Sequence, residues 1–433
     1  MTSTHTPAPA TTAAADRDAR SSAPPPSSSR RRLDLAVTNV RAVVDDRILS
    51  DATVVIRDGV IESVDAVRTP PPGAIDGGGL YCLPGLVDTH SDGFEKELRP
   101  RPNVELPEAF ALRSFEARVR SAGVTTVFHG IGFENGAKYD RTVEQAERLC
   151  DAIAHRRAER DPRVDHRVLY RLDVRDADGL AGLAHQLGSA HHRLATGDVP
   201  LVSAEDHTPG IGQYVDRTYY ERYIAGTKGL DDAAAKAYID DIVVERDSKI
   251  DNVGAAFDWL SERAEAGFIR LMGHDPTSAD EIDLAVDRSA TIAEFPTTVD
   301  AARRAKERGV RTVSGAPNVV RGGSHSGNVS ARDLIELGLC DGLASDYLPT
   351  TLLGAVGILI DDGVCDLPTA VELVTAGPAD TVGLADRGRL QPGLRGDLVL
   401  VDLDARVPIV HLVASADDTV SPSPVAPARG VTA

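Results

Sequence analysis

From Leu33 to about Ala66 the chain runs in short β-branched stretches such as Thr53-Val54-Val55-Ile56, broken by Asp58-Gly59, a dipeptide that tight hairpin turns favour. This pattern predicts a small antiparallel sheet. A comparable piece returns near the C-terminus, where Gly388 to Leu403 carries two glycine turns and a Leu/Val run, followed by Val407 to Leu412. Between the two, short apolar runs alternate with helical patterns, the signature of βα units around a parallel sheet. Eight runs read as strands: Leu86 to Asp88, Thr125 to Phe128, Val168 to Leu172, Leu201 to Ala204, Ile269 to Met272, Thr291 to Glu294, Arg311 to Val313 and Gly342 to Ala344. The helices between them are punctuated. Arg303, Arg304, Lys306 and Arg308 precede a stop at Gly309, as the helix dipole and a glycine C-cap favour, and Ser330 with Asp333 makes a capping-box-like start to a helix ending at Gly338. The span from Gly210 to about Glu262 is charged, mostly helical and too long for an ordinary loop, which suggests a lid over the barrel mouth.

The expected fold class is therefore α/β: a (β/α)8 TIM barrel over residues 84–383, with a composite β-sandwich domain made by residues 33–83 and 384–412. The length of 433 residues suits a barrel of about 250 residues plus a smaller companion. Residues 1–32, rich in Ala, Pro, Ser and Thr, cannot bury enough apolar surface to fold and read as a disordered tail, as do residues 413–433.

Charge and cysteine content mainly exclude. A net charge of -19 gives no global attraction to nucleic acid or anionic lipid, so neither is an expected partner. Cys82, Cys150, Cys340 and Cys365 are too widely spaced for a CxxC site or a secreted-type disulfide framework. No apolar run reaches the roughly 18 residues of a membrane span. Arg31 and Arg32 are followed by Asp34 rather than an apolar stretch, unlike an export signal, so the expected location is the cytoplasm. A homo-oligomer is left open.

Active sites of such barrels lie at the C-terminal strand ends. Strand one ends in Asp88-Thr89-His90-Ser91-Asp92, strand three in Asp173, strand four in Asp206-His207, strand five in His274-Asp275 and strand eight in Ser345-Asp346-Tyr347. Imidazole and carboxylate are ligands that Zn²⁺ and similar ions accept in open catalytic sites. Any one of these histidines is more often a hydrogen-bonded core residue, but their concentration beside acids on one face favours a metal site. His129, after strand two, reads either as a further polar contact or as nothing. The glycine- and serine-rich stretch Gly315 to Asn328 follows strand seven, where these barrels often bind phosphate. Amides of Gly322 and Gly323, the fork of Arg321, and donors on Ser324, His325, Ser326 and Asn328 would suit an anion, against the plain alternative of a flexible turn. Lys96, Arg99 and Arg101 add cations after strand one, equally readable as a solvated charge run.

The runs LPGLVDTHSDGFEKELRPRPNVELP (Leu83 to Pro107), DHTPGIGQY (Asp206 to Tyr214), IAEFPTT (Ile292 to Thr298), GAPNVVRGGSHSGN (Gly315 to Asn328) and SDYLPTTLL (Ser345 to Leu353) closely resemble the diphosphatase family of the carbon–phosphorus lyase pathway, part of the amidohydrolase superfamily. The likeness spans roughly Leu33 to Leu403. It implies hydrolysis of α-D-ribose 1-methylphosphonate 5-triphosphate, a small phosphorylated sugar phosphonate, to the 5-phosphate and pyrophosphate. It also implies one or two divalent metal ions, Zn first, with Mn or Fe as alternatives. His90 and Asp92 would bind one ion and His207 and His274 the other, with Asp173 bridging where the family is expected to carry glutamate. Asp346 would contact metal and act as general base, with His325 as general acid or anion contact, and Lys96 and Arg101 would meet phosphate. Other readings are a C–N hydrolase of the same superfamily, such as a cyclic amidase or deaminase, and a metal-free scaffold subunit.

Overall fold

The computed structural model describes residues 32–66, 69–136, 141–159, 161–188, 199–324 and 327–418. Of the two expected tails, residues 1–31 and 419–433 lie outside the described residues. In chain order the strands are β1 (Leu35–Val44), β2 (Arg47–Arg57), β3 (Val60–Ala66), β4 (Ile75–Asp76) and β5 (Tyr81–Pro84). Then come β6 (Leu86–Ser91), β7 (Val124–Phe133), β8 (Asp165–Asp173), β9 (Leu201–Glu205), β10 (Arg270–His274), β11 (Ala290–Glu294), β12 (Arg311–Gly315) and β13 (Gly342–Ala344). Finally β14 (Leu398–Asp402) and β15 (Ile409–Ala414) close the chain.

β6 to β13 form one eight-stranded parallel sheet in sequence order, and each contains the run read as a strand or most of it. The sheet closes where Asp346 N donates to His90 O at 3.0 Å. Lower down, the gap between β6 and β13 is filled by chain from the loop 373–374: Val87 N donates to Val374 O at 3.0 Å and Leu343 N to Leu373 O at 2.7 Å. Each barrel strand sends one side chain into the central core (Val87, Phe128, Leu169, Leu201, Met272, Ile292, Val313 and Ala344), which Ala379, Val382 and Leu384 plug from below. Above that layer the strand ends carry His90, Arg171, Glu205, His274 and Glu294, with Phe295 against the His90 and His274 rings, so the apolar layer forms the floor of the site.

The two ends of the chain complete one seven-stranded mixed sheet, ordered β15-β14-β5-β1-β2-β3 with β4 beside β1. The β2–β3 hairpin turns on Asp58 and Gly59, both at positive φ (48° and 75°), as the primed turn of a twisted hairpin requires. A Cβ on Gly59 would stand 2.7 Å from the carbonyl oxygen of Ala416. The chain thus stays folded past the expected boundary at 412: Ala416 N donates to Asp397 Oδ1 and Arg120 Nη2 to Asp418 Oδ2. Among the described residues no helix is long and apolar enough to cross a membrane.

Around the barrel, a buried ionic knot ties two helices to β8. Glu116 accepts from Arg156 Nη2 at 2.8 Å, from Arg163 N at 2.7 Å and from His166 Nε2 at 3.2 Å. Burial works against its charge, yet these partners hold the carboxyl down at about 2. Because its folded value lies below the unfolded one, the stabilisation is complete above about pH 4.3 and disappears as pH falls toward 2. Glu116→Gln leaves the Arg156 cation buried and should cost about 3–5 kcal/mol at pH 7. The difference between variant and wild type should shrink in denaturant unfolding at pH 3; an undiminished gap there would remove the electrostatic explanation.

Candidate active site

Two groups of ligand-type side chains meet at the C-terminal ends of the barrel strands. His90, Asp92 and Asp346 form one, and Glu205, His207 and His274 the other; within each, the ligand atoms lie within 4.8 Å of one another. Period-two alternation explains the placement: His90 and Asp92 at the end of β6, and Glu205 and His207 at the end of β9, each point two side chains to one side. Asp346, just past β13, sits in the left-handed region at φ 55°, which turns its carboxyl back over the seam with β6.

Glu294, fully buried at the end of β11, connects the groups. Its Oε1 pairs with His90 Nδ1 at 2.7 Å, and its Oε2 with His274 Nδ1 at 2.7 Å and with Ser203 Oγ at 2.9 Å. Burial opposes its charge, but His90 and His274 hold it well below the carboxylate range. A carboxylate on each Nδ1 makes that nitrogen the donor and turns Nε2 toward the site, where His90 Nε2 stands 3.3 Å from Asp92 Oδ1 and His274 Nε2 3.4 Å from Asp275 Oδ2, the orientation of ligating histidines. Glu205 is the second connection. Its Oε1 accepts from Arg171 Nε at 2.7 Å, its Oε2 lies 3.6 Å from His207 Nδ1, and Arg171 and the two histidines hold it ionised at about 2 against burial. Arg171 Nη1 in turn donates to Asp92 Oδ1 at 2.7 Å. Asp346 is shifted the other way: burial and the like charge of Asp92 raise it to about 6. The donor sets, imidazole nitrogen with carboxylate oxygen, fit divalent cations.

A cavity of about 170 Å³ opens over the first group and His274 of the second, lined by His90, Asp92, Arg171, His274 and Asp346 together with Thr297, Asn318, Arg321, Ser324 and Asn328. The long insert folds as helices Arg217–Lys228, Asp232–Asp247 and Asp251–Glu265, and Arg246 of the second docks on the strand-end carboxylates of Asp173 and Asp206. Gln213 at its start lines the cavity, and its carbonyl faces Asn328 Nδ2 at 3.5 Å.

Several expectations need correction. Asp173 joins neither group; its carboxylate is taken by Arg246 of helix Asp232–Asp247, through Nη1 and through Nη2 at 3.0 Å, so it latches the insert to β8. The carboxylate that joins His207 and His274 is Glu205, at the end of the fourth strand of the eight-stranded sheet. Gly322 and Gly323 do not offer free amides. Ala316–Arg321 is helical, and the two amides donate to Val319 O at 3.1 Å and Asn318 O at 3.0 Å to end that helix, with Gly322 at φ 80°. Arg101 is exposed and does not line the cavity. Lys96 is exposed with Nζ 5.9 Å from the centre of the Tyr347 ring, at the rim. His325 and Ser326 lie outside the described residues. His129 faces away from the cavity, with Nε2 2.8 Å from His166 Nδ1.

Glu205, Glu294 and Arg171 were not foreseen as site residues, though the signal was present. Glu205-x-His207 repeats the spacing of His90-x-Asp92, Glu294 closes an apolar run, and Arg171 is two positions before Asp173 on the same face of β8.

No family model matches the chain. It is 33% identical over 376 residues to the alpha-D-ribose 1-methylphosphonate 5-triphosphate diphosphatase of Escherichia coli (strain K12), covering 84% of this chain and 94% of that protein. It is 23% identical over 378 residues to the imidazolonepropionase of Mycolicibacterium smegmatis, covering 84% and 87%. Among solved structures, the N-acetyl-D-glucosamine-6-phosphate deacetylase of Mycobacterium smegmatis superposes with a TM-score of 0.56 at 15% identity, over 89% of this chain and 98% of that one, a likeness of fold.

Proposed function

The chain belongs to the family of alpha-D-ribose 1-methylphosphonate 5-triphosphate diphosphatases, hydrolases of the amidohydrolase superfamily, and we propose that it hydrolyses that sugar triphosphate, or a close relative of it, to the 5-phosphate and pyrophosphate in the cytoplasm. The observation that carries this reading is a cavity lined by the whole His90/Asp92/Asp346 group and by His274 of the second group, and also by Arg321, Ser324 and Asn328, so that cation-binding and anion-binding chemistry share one space.

In this reading His90, Asp92 and Asp346 hold one divalent ion and Glu205, His207 and His274 the other, with zinc the first choice and manganese or iron the alternatives. Such ions supply acidification of an attacking water and neutralisation of phosphoryl charge. Asp346, with its raised affinity for protons, accepts the proton of the attacking water. The water oxygen forms the new P–O bond as the anhydride oxygen between the first and second phosphoryl groups departs with pyrophosphate. Glu294 keeps His90 and His274 in the Nδ1–H tautomer throughout. Arg321 and the polar wall neutralise oligophosphate oxygens, the principal need in phosphoryl transfer.

A C–N hydrolase would use the same floor but needs no cation on the wall. Arg321→Ala should therefore raise KM for the sugar triphosphate by about 10- to 100-fold, the worth of a charge-assisted hydrogen bond, with little change in kcat. Unchanged KM would favour the C–N reading. The direct test is phosphorus NMR of the metal-supplemented enzyme with a ribose 5-triphosphate bearing a 1-phosphonate, with ATP as control. Pyrophosphate from the first alone is the expected result; no product at full metal content would sink the proposal.

A further inference from the structure

Arg171 has no part in the steps above, yet it occupies the middle of the site. It projects inward from β8, is 6% exposed, and is gripped from two sides by Asp92 and Glu205, one carboxylate from each cation group. Space for it exists because Gly130 faces it from β7: a Cβ there would stand 2.7 Å from Asp92 Oδ1 and 3.0 Å from Arg171 Cδ. Nε and Nη1 are committed, but Nη2 makes no hydrogen bond among the described residues, and the side chain lines the cavity.

A guanidinium is charged at every accessible pH and carries five N–H donors in a rigid plane. Lodging one between two groups suited to divalent cations is repulsive unless anions compensate, and the two carboxylates that face it are themselves members of those groups, shared with any cation bound there. The free edge points to a further anion. Resting on the triphosphate reading, we propose that Arg171 is a direct phosphoryl ligand: Nη2 donates to a non-bridging oxygen of the pyrophosphate-forming part of the substrate, while Asp92 and Glu205 hold the plane in place.

The test reads binding and not turnover. Inorganic pyrophosphate is titrated calorimetrically into metal-supplemented wild type, Arg171→Lys and Arg171→Ala, with metal content measured by elemental analysis. The expected result is affinity about 10- to 100-fold lower in Arg171→Ala at wild-type metal content, little recovery in Arg171→Lys, and partial restoration of Arg171→Ala by added guanidinium chloride at constant ionic strength. Wild-type affinity in Arg171→Ala, loss of metal in both variants, or no pyrophosphate binding by the wild type overturns the proposal. Inertness of the wild type toward the sugar triphosphate would count against the reaction alone, because the binding comparison stands without turnover.

Discussion

Asp346→Asn lowers turnover by about 10²- to 10⁴-fold, the range for removal of a positioned general base, and leaves the fold in place. The substitution isolates the charge. Asp346 sits at φ 55°, a conformation that asparagine tolerates nearly as well as aspartate and most other side chains do not. The backbone bonds that close the barrel, Asp346 N to His90 O at 3.0 Å and Asp92 N to Asp346 O at 2.5 Å, involve no side-chain atom and survive. An asparagine oxygen still faces the first cation group, and Asp92 still supplies that group with a carboxylate, so metal content should stay close to the wild-type value. What is lost is a carboxylate that burial and the neighbouring Asp92 have raised to about 6, near enough to neutrality to take a proton from water and release it again. Steady-state kinetics beside elemental analysis decide the matter: near-normal turnover at full metal content would strip Asp346 of the role of base.

The barrel was legible because its signal is periodic. Each βα unit repeats an apolar run, a polar strand end and a capped helix, and the run that became β13 is identifiable even at three residues because Ser345-Asp346 follows it. The closing sheet was legible for a similar reason, since Asp58-Gly59 permits little besides a primed turn. Two kinds of information were not local. The amides of Gly322 and Gly323 looked like anion donors because glycine runs often are; whether Pro317 to Arg321 winds into a helix that uses them depends on packing of Ala316 and Val319 against the barrel wall. The other is partner choice among acids. Asp173, Glu205 and Asp206 all stand at neighbouring strand ends, and which of them faces the histidines is settled by Arg246, contributed from an insert more than seventy positions beyond Asp173. Sequence spacing places a carboxylate on a face of the sheet, but which cation it meets there is a tertiary fact.

That choice makes a paired experiment decisive. Glu205→Gln should remove one equivalent of metal and lower kcat by at least about 10²-fold, the scale on which loss of a ligand or of the groups that orient it is felt. Two effects act together. The amide cannot supply the negative charge that His207 and His274 share in the second group, and its neutral oxygen is a poor partner for Arg171, whose cation is left buried with only Asp92 to balance it. Breaking a buried pair of this kind costs about 3–5 kcal/mol, so the melting temperature should fall as well. Asp173→Asn disturbs something else. It weakens the latch to Arg246, while Asp206, 3.0 Å from Arg246 Nη2 and 2.8 Å from Arg175 Nε, still ties the insert to the fourth strand. That variant should keep its metal, with any kinetic change traceable to looser docking of the insert on β8 and not to the cation groups. The reverse pattern, metal lost in Asp173→Asn and kept in Glu205→Gln, would return the bridging role to the third strand and require the insert to swing Arg246 out of the site before an ion binds.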